Sequence, residues 1–392
     1  MTATAPIGED STTGKPAAEP ADGAALRVAV DATSLLGVRT GVSRVTSGLL
    51  AGIADRPEVA VTAYAVTWRG RQGLAEELPP AVRAAPRAFP ARLTRWSWPR
   101  VRWPSVEGWT GPVDVVHATN YVAPPAHAPV LVSVHDLSFV RFPELCTGDA
   151  ARYPRLVQVA IDRGAFVHTD SAFVAEEVRD HYGLTADRVV HVAPGLDAAA
   201  LGDGGRGRTL AGSARYVLAI GTVEPRKNLP ALVRAFDAVA AYEPDVSLVV
   251  AGPDGWGMAE FTDAVEGAVH RDRIRRLGWL EDAARRDLLA GAAVLAYPSR
   301  YEGFGFPPLE AMQAGVPVVA STAGSLPEVL ADAAVLVDAA DEDALAGALA
   351  RVLREEALAE DLVRRGRARA AEFRWDRAAE QFVKTYQRVA AG

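Results

Sequence analysis

The chain of 392 residues has one cysteine, Cys146, so no intramolecular disulfide can form and packing alone must hold the fold, as suits a reducing compartment. No apolar run approaches the ~18 residues of a spanning helix, which predicts a soluble or peripheral protein: cytoplasmic, free or at the inner face of the cell membrane. Residues 1–24 lack the apolar centre of a signal peptide; rich in Ala, Thr, Pro and Gly, they read as a disordered tail. Excess positive charge is missing too. A net charge of −7 argues against a nucleic-acid partner bound by broad phosphate neutralisation. No His or Cys cluster has metal-ligand spacing, and no G-x-S-x-G occurs. Gly8 to Lys15 misses the P-loop spacing by one residue and sits in the tail. Lysine is scarce: only Lys15, Lys227 and Lys384 occur, and arginine supplies the rest of the 42 basic residues. A lysine at 227 therefore runs against the chain's own habit.

What is present is an α/β alternation long enough for two domains of roughly 150–200 residues. Residues 25–195 open with a strand ending in a carboxylate, Leu26 to Asp31, a glycine-containing loop that includes Gly41, and a helical pattern to Ile53. Strand, loop, helix, strand predicts a parallel sheet with ligands at the carboxyl ends of its strands. One strand, Val130 to Val134, ends in His135. Residues 86–112 break the rhythm, with Trp96, Trp98, Trp103 and Trp109 among five arginines. They read as an interfacial or acceptor-binding surface, or as a loop packed by its own aromatics. Residues 196–213, with five glycines and no periodicity, read as a linker. They contain Gly202-x-Gly204-x-x-Gly207, but without the preceding strand and following helix of a dinucleotide fingerprint. Residues 214–375 form a second α/β set.

Two stretches in that second set carry chemistry. Tyr297 to Ser321 reads as strand end, glycine loop, and a helix start marked by Pro307 and Pro308. Glu302 and Glu310 frame the loop with seven residues between them. Carboxylates accept pairs of vicinal hydroxyls, as on a pyranose or a ribose; the plainer reading is a surface charge and a helix-dipole partner. The other stretch, Gly221 to Asn228, ends a strand and opens a helix with Arg226 and Lys227, a planar fork beside a compact charge, as a diphosphate requires. Its plainer reading is a solvated basic turn. Asp341-Glu-Asp343 precedes a helix and reads as capping, not as a metal motif.

Arg226-Lys227 followed by Glu302-Gly-Phe-Gly-Phe-Pro-Pro-Leu-Glu310-Ala-Met-x-x-Gly-x-Pro-Val-Val resembles family 4 of the retaining glycosyltransferases, over about Leu26 to the C-terminus. The resemblance implies the GT-B fold: two doubly wound Rossmann-like domains facing a cleft, with residues 376–392 as a helix returning to the N-terminal domain. It implies that Glu302 meets donor-sugar hydroxyls, with Gly303, Phe304, Gly305 and Phe306 beside it. Glu310 would hold the ribose, Lys227 and Arg226 the diphosphate, and His135 would lie near the sugar's 6-position. Gly41 would approach the diphosphate and acceptor, while Gly278, Trp279 and Thr222 would lie on the donor side. Many members carry arginine where this chain has Thr222. The resemblance also implies no metal or cofactor, and a leaving phosphate that itself takes the acceptor's proton. The Phe306-Pro307-Pro308 variant is similar to mannosyl- and rhamnosyl-transferring members, which leans the donor toward GDP-mannose over a UDP-sugar, with a small-molecule, glycan or lipid-linked acceptor. The other functions considered are a sugar-nucleotide epimerase of the same architecture and a non-enzymatic sugar-nucleotide or membrane-associated binding protein.

Overall fold

The computed structural model describes residues 25–37, 40–67, 73–85, 98, 101, 103–148, 150–197 and 202–392. The tail and most of the tryptophan-arginine stretch lie outside the described residues. Strands β1 (Leu26–Asp31), β2 (Val59–Tyr64), β3 (Arg83–Ala84), β4 (Val115–Ala118), β5 (Val130–Ser133), β6 (Phe166–Thr169) and β7 (Val189–His191) form one sheet in the order β3-β2-β1-β4-β5-β6-β7. The second sheet takes β8 (Arg215–Ile220), β9 (Val246–Ala251), β10 (Ile274–Gly278), β11 (Val294–Tyr297), β12 (Val318–Ser321) and β13 (Val335–Val337) in the order β10-β9-β8-β11-β12-β13. The pairings are parallel. Central strands such as Val28-Ala29-Val30 and Val318-Val319-Ala320 are wholly buried, because helices cover both faces and leave no face for polar alternation.

The helix Trp375–Ala391 completes the core of the first sheet, although it closes the chain. Its Ala378, Ala379, Phe382, Val383, Tyr386 and Val389 recur at helical spacing and are buried with Leu26, Val28, Leu49, Leu50 and Ile53. It lies against the Gly41–Ile53 helix at Gly48, where a Cβ would fall 2.0 Å from the Trp375 ring. Gly48→Val is therefore expected to displace this helix and cost about 1–3 kcal/mol of stability, the usual scale for overpacking, read as a lowered thermal midpoint. An unchanged melt would mean that the helix does not seat there.

The stretch 196–213, read as an aperiodic linker, contains a helix, Gly204–Ala211, capped by Asp203, which accepts from Gly205 N and Arg206 N at 2.8 and 3.0 Å. Its glycines face the backbone of the Asp282–Gly291 helix. A Cβ on Gly202, Gly204 or Gly207 would lie 2.1, 2.8 or 1.9 Å from the carbonyl oxygen of Arg286, Ala290 or Asp287. The glycine pattern thus permits close helix–helix approach. In the tryptophan-rich stretch, Trp98 and Trp109 are core residues with ring centroids 6.1 Å apart, and Trp109 packs near Tyr64. Trp103, at 73% exposure, is the described tryptophan there that faces solvent. No helix among the described residues is long and apolar enough to cross a membrane.

Candidate active site

From the adjacent strands β8 and β11 the second sheet winds outward in opposite directions, so the loops following these two strands diverge and leave a crevice at their carboxyl ends. The loop after β8 carries Arg226 and Lys227 in a short turn, Pro225–Lys227. Asn228 ends that turn in the left-handed region (φ 56°), is held by its side chain to Ala339 O at 2.9 Å, and starts the Leu229–Ala240 helix. The loop after β11 carries Glu302.

These loops meet in one ion-paired cluster. Lys227 Nζ donates to Glu302 Oε1 at 2.6 Å and to the Tyr297 hydroxyl at 2.7 Å. Arg226 Nη1 donates to Glu302 Oε2 and to Tyr301 O, both at 2.9 Å, and its Nη2 donates to Glu224 Oε1 at 2.7 Å. Glu302 is 5% exposed. Burial pushes its carboxyl upward, but Arg226 and Lys227 together outweigh that and hold it at about 2. Burial also lowers Lys227, against the opposing pull of Glu302. The two cations are thus balanced by two carboxylates before any ligand arrives.

Glycine is needed beside Glu302 for two separate reasons. At Gly303 a Cβ would fall 1.9 Å from His135 O, so the first domain's wall touches this loop directly. Gly305 has φ 98° and starts the Phe306–Ala314 helix, with Pro307 and Pro308 in its first turn, where backbone N–H groups have no helical partner. Phe304 is buried against Phe306 and Phe373 at 5.0 and 5.6 Å, leaving mainly its backbone to meet a ligand. Glu310, fifth in that helix, is paired on one oxygen with Arg44 from the first domain and on the other with Arg285 from the Asp282–Gly291 helix. Glu302 and Glu310 therefore have separate cationic partners.

His135 lies just beyond β5. Its Nδ1 is 2.6 Å from Asp170 Oδ2, and its Nε2 is 2.8 Å from Thr119 O. Gly278 (φ 70°) and Trp279, 59% exposed, end β10, two strands from the crevice, and Thr222 follows β8. Gly41 opens its helix in open space. Asp341 caps the Glu342–Arg354 helix by accepting from Ala344 N at 2.8 Å, as the sequence predicts. Among the described residues no three His, Cys, Asp or Glu side chains gather as a metal-binding set.

Glu224, Tyr297, Tyr301, Arg44, Arg285 and Asp170 join the site without having been singled out in the sequence. The tyrosines flank the Glu302 motif and Glu224 lies two residues before Arg226, so each offered a local signal; Arg44, Arg285 and Asp170 come from distant segments and offered none. Tyr301 accepts from Leu137 N at 3.1 Å and donates to Glu177, while Ser171 Oγ donates to Gly303 O at 2.8 Å. Glu328 accepts from Ala172 N and Phe173 N at 2.8 Å each. The glycine loop is thereby docked on the first domain.

Two parallel α/β units with a crevice at the switch point make the GT-B architecture. Solved structures share the fold: WaaG, a glycosyltransferase involved in lipopolysaccharide biosynthesis, superposes with a TM-score of 0.71 at 18% identity over 91% of this chain and 99% of its own. HepE from Anabaena in complex with UDP and glucose gives 0.70 at 17% identity over 92% and 99%. The chain belongs to glycosyltransferase family 4. Its residues 39–200 match the profile of Glycosyltransferase Family 4, and residues 207–369 match that of Glycosyl transferases group 1. It is 31% identical over 291 residues to the O-antigen chain mannosyltransferase B of Escherichia coli, covering 70% of this chain and 74% of that protein. To the D-inositol 3-phosphate glycosyltransferase of Salinispora tropica it is 32% identical over 288 residues, covering 67% of this chain but 60% of that relative's length.

Proposed function

We propose that this glycosyltransferase is a retaining hexosyltransferase that moves mannose from GDP-mannose to a glycan, lipid-linked or small-molecule hydroxyl without a metal or cofactor. The observation carrying this reading is the Glu302 carboxylate held between Lys227 and Arg226 in the switch-point crevice. A carboxyl held at about 2 stays ionised at neutral pH, so it serves as a hydroxyl acceptor and not as a general acid. Lys227, Arg226 and the N-terminus of the Phe306–Ala314 helix meet the diphosphate. The bond from the anomeric carbon to the phosphate oxygen breaks as the acceptor oxygen bonds to the same face, and the acceptor's proton passes to the departing phosphate. Glu310 retains lone pairs beyond its two arginines for ribose hydroxyls, and Trp279 offers a ring face to the base. The similarity to an O-antigen mannosyltransferase supports mannose. Peripheral membrane contact through residues 86–112 rests on the exposed Val101 and Trp103.

The test incubates the purified chain with GDP-mannose or UDP-glucose and a panel of acceptors in EDTA, with the product's anomeric configuration read by NMR. Transfer from GDP-mannose with the donor's configuration kept is expected. An inverted product, loss of transfer in EDTA, donor isomerised without acceptor, or binding without turnover would each sink the corresponding part of the reading.

A further inference from the structure

We propose that Asp170 is a positioning residue for glycosyl transfer: it holds His135 as a half-buried imidazolium and seats the His135–Asp136 turn against the glycine loop beside Glu302. The inference rests on the reading of this cleft as the transfer site.

The hydrogen-bond inventory carries it. Both ring nitrogens of His135 face acceptors: Asp170 Oδ2 at 2.6 Å and the backbone carbonyl of Thr119 at 2.8 Å. A carbonyl can only accept, so Nε2 carries a hydrogen. A second proton lies in the Nδ1···Oδ2 contact, where the imidazole is the stronger base. Asp170 is 3% exposed, and its other oxygen, Oδ1, is buried with no hydrogen-bond partner and lies 4.0 Å from His168 Nε2. A carboxylate so enclosed needs a cationic partner, and His135 supplies it.

Position gives the pair its consequence. Thr119, His135 and Asp170 lie just beyond the carboxyl ends of β4, β5 and β6, so one ring ties three neighbouring strand ends together. The carbonyl of His135 abuts Gly303, and Ser171, next to Asp170, donates to Gly303 O. The strand end that charges His135 thus also fixes the donor-side loop. Other groups face the pair: Asp136 adjoins it, His117 and His168 approach from β4 and β6, His191 lies near Asp170 from β7, and Tyr121 presents its ring edge-on at 5.8 Å. Burial alone would discharge His135, but Asp170's charge and hydrogen bond prevail and hold it above the ordinary histidine value. Its charge therefore persists to higher pH than that of an ordinary histidine and is lost as pH rises through the elevated value.

The test follows the His135 ring by NMR in the unliganded, histidine-labelled full chain, with its signal assigned by its absence in His135→Gln. In Asp170→Asn the midpoint should fall by about one pH unit or more. The alkaline limb of kcat should move the same way, with kcat lower by about 10- to 100-fold and donor KM little changed. The double variant His135→Gln/Asp170→Asn should be no slower than His135→Gln alone. An unmoved midpoint, an unmoved pH profile or additive losses would overturn the proposal. Should Asp170→Asn not fold, His135→Gln decides: retention of the parent's alkaline limb refutes the role. A shifted midpoint in a parent that transfers no sugar would sink the glycosyl-transfer reading and the catalytic role with it, while leaving the ion pair standing.

Discussion

Glu302→Gln is expected to lower kcat by about 10²–10³-fold, the scale for removing one preorganised electrostatic contact, while nucleoside diphosphate binds as tightly as to the parent or more so. The two effects separate because of the charge balance. In the parent, Glu224 and Glu302 offset Arg226 and Lys227, so loss of one carboxylate leaves the site one unit more positive and better suited to phosphate. Glutamine also turns an amide N–H₂ toward one of the two cations, so either the Lys227 or the Arg226 contact fails and the sugar loses its oriented acceptor. Calorimetric Kd for the diphosphate and steady-state kcat check both halves, and turnover within about twofold of the parent would remove Glu302 from the site. Glu302→Ala should add a stability loss of up to about 3–5 kcal/mol, because it leaves two largely enclosed cations with one carboxylate. The sign of the pH effect follows from the depressed carboxyl. Its folded value of about 2 lies below the ordinary 4.5, so its contribution to stability is complete above the ordinary range and is lost only as pH falls toward 2.

The loops that carry this chemistry were legible because each is contiguous. Strand end, glycine turn and proline-marked helix start occupy Tyr297 to Ala314, and Gly221 to Asn228 repeats the logic with cations. Their union was not legible. Lys227 and Glu302 are separated by 75 positions, and only the reversal of strand order between β8 and β11 brings them within one hydrogen bond. The sequence therefore reads Glu302 as free for hydroxyls, whereas the fold assigns it two half-buried counterions first. Arg44 and Asp170 were invisible for a similar reason, since arginine is abundant in this chain and a lone aspartate after a strand has no periodic signature. The Gly204–Ala211 helix was missed because glycine weakens helix propensity. Asp203 offered a capping signal, but the glycines are explained only by the helix backbone they touch.

The same contacts make the cleft a joined structure. Arg44 reaches Glu310 from the first domain, Glu328 caps the Ala172–Tyr182 helix from the second, and Tyr301 bridges Leu137 and Glu177. Each places a polar group of one domain on an unsatisfied group of the other, so opening the cleft would expose several such groups to water in exchange. The Arg44–Glu310 pair ties the helix that begins at Gly41 to the Phe306–Ala314 helix across the cleft.

Lys227→Met should also lose about 10²–10³-fold in kcat, but with the opposite sign in binding: nucleoside diphosphate should bind more weakly than to the parent. Methionine keeps the length of an apolar stem that runs past Gly221, where a Cβ would lie 3.3 Å from Lys227 Cε, and removes the charge proposed to meet the phosphate. Lys227→Arg is no rescue, because a planar fork cannot replace a compact ammonium placed between the Tyr297 hydroxyl and Glu302 Oε1. The proton count gives a second, independent readout. Burial lowers Lys227 below its ordinary value in the unliganded site, and a bound diphosphate favours the ammonium again. Binding at alkaline pH should then take up a proton in the parent and none in Lys227→Met, measured as the dependence of calorimetric enthalpy on buffer ionisation. A methionine variant that binds diphosphate as tightly as the parent, or that shows the same proton uptake, would place the phosphate elsewhere than on Lys227.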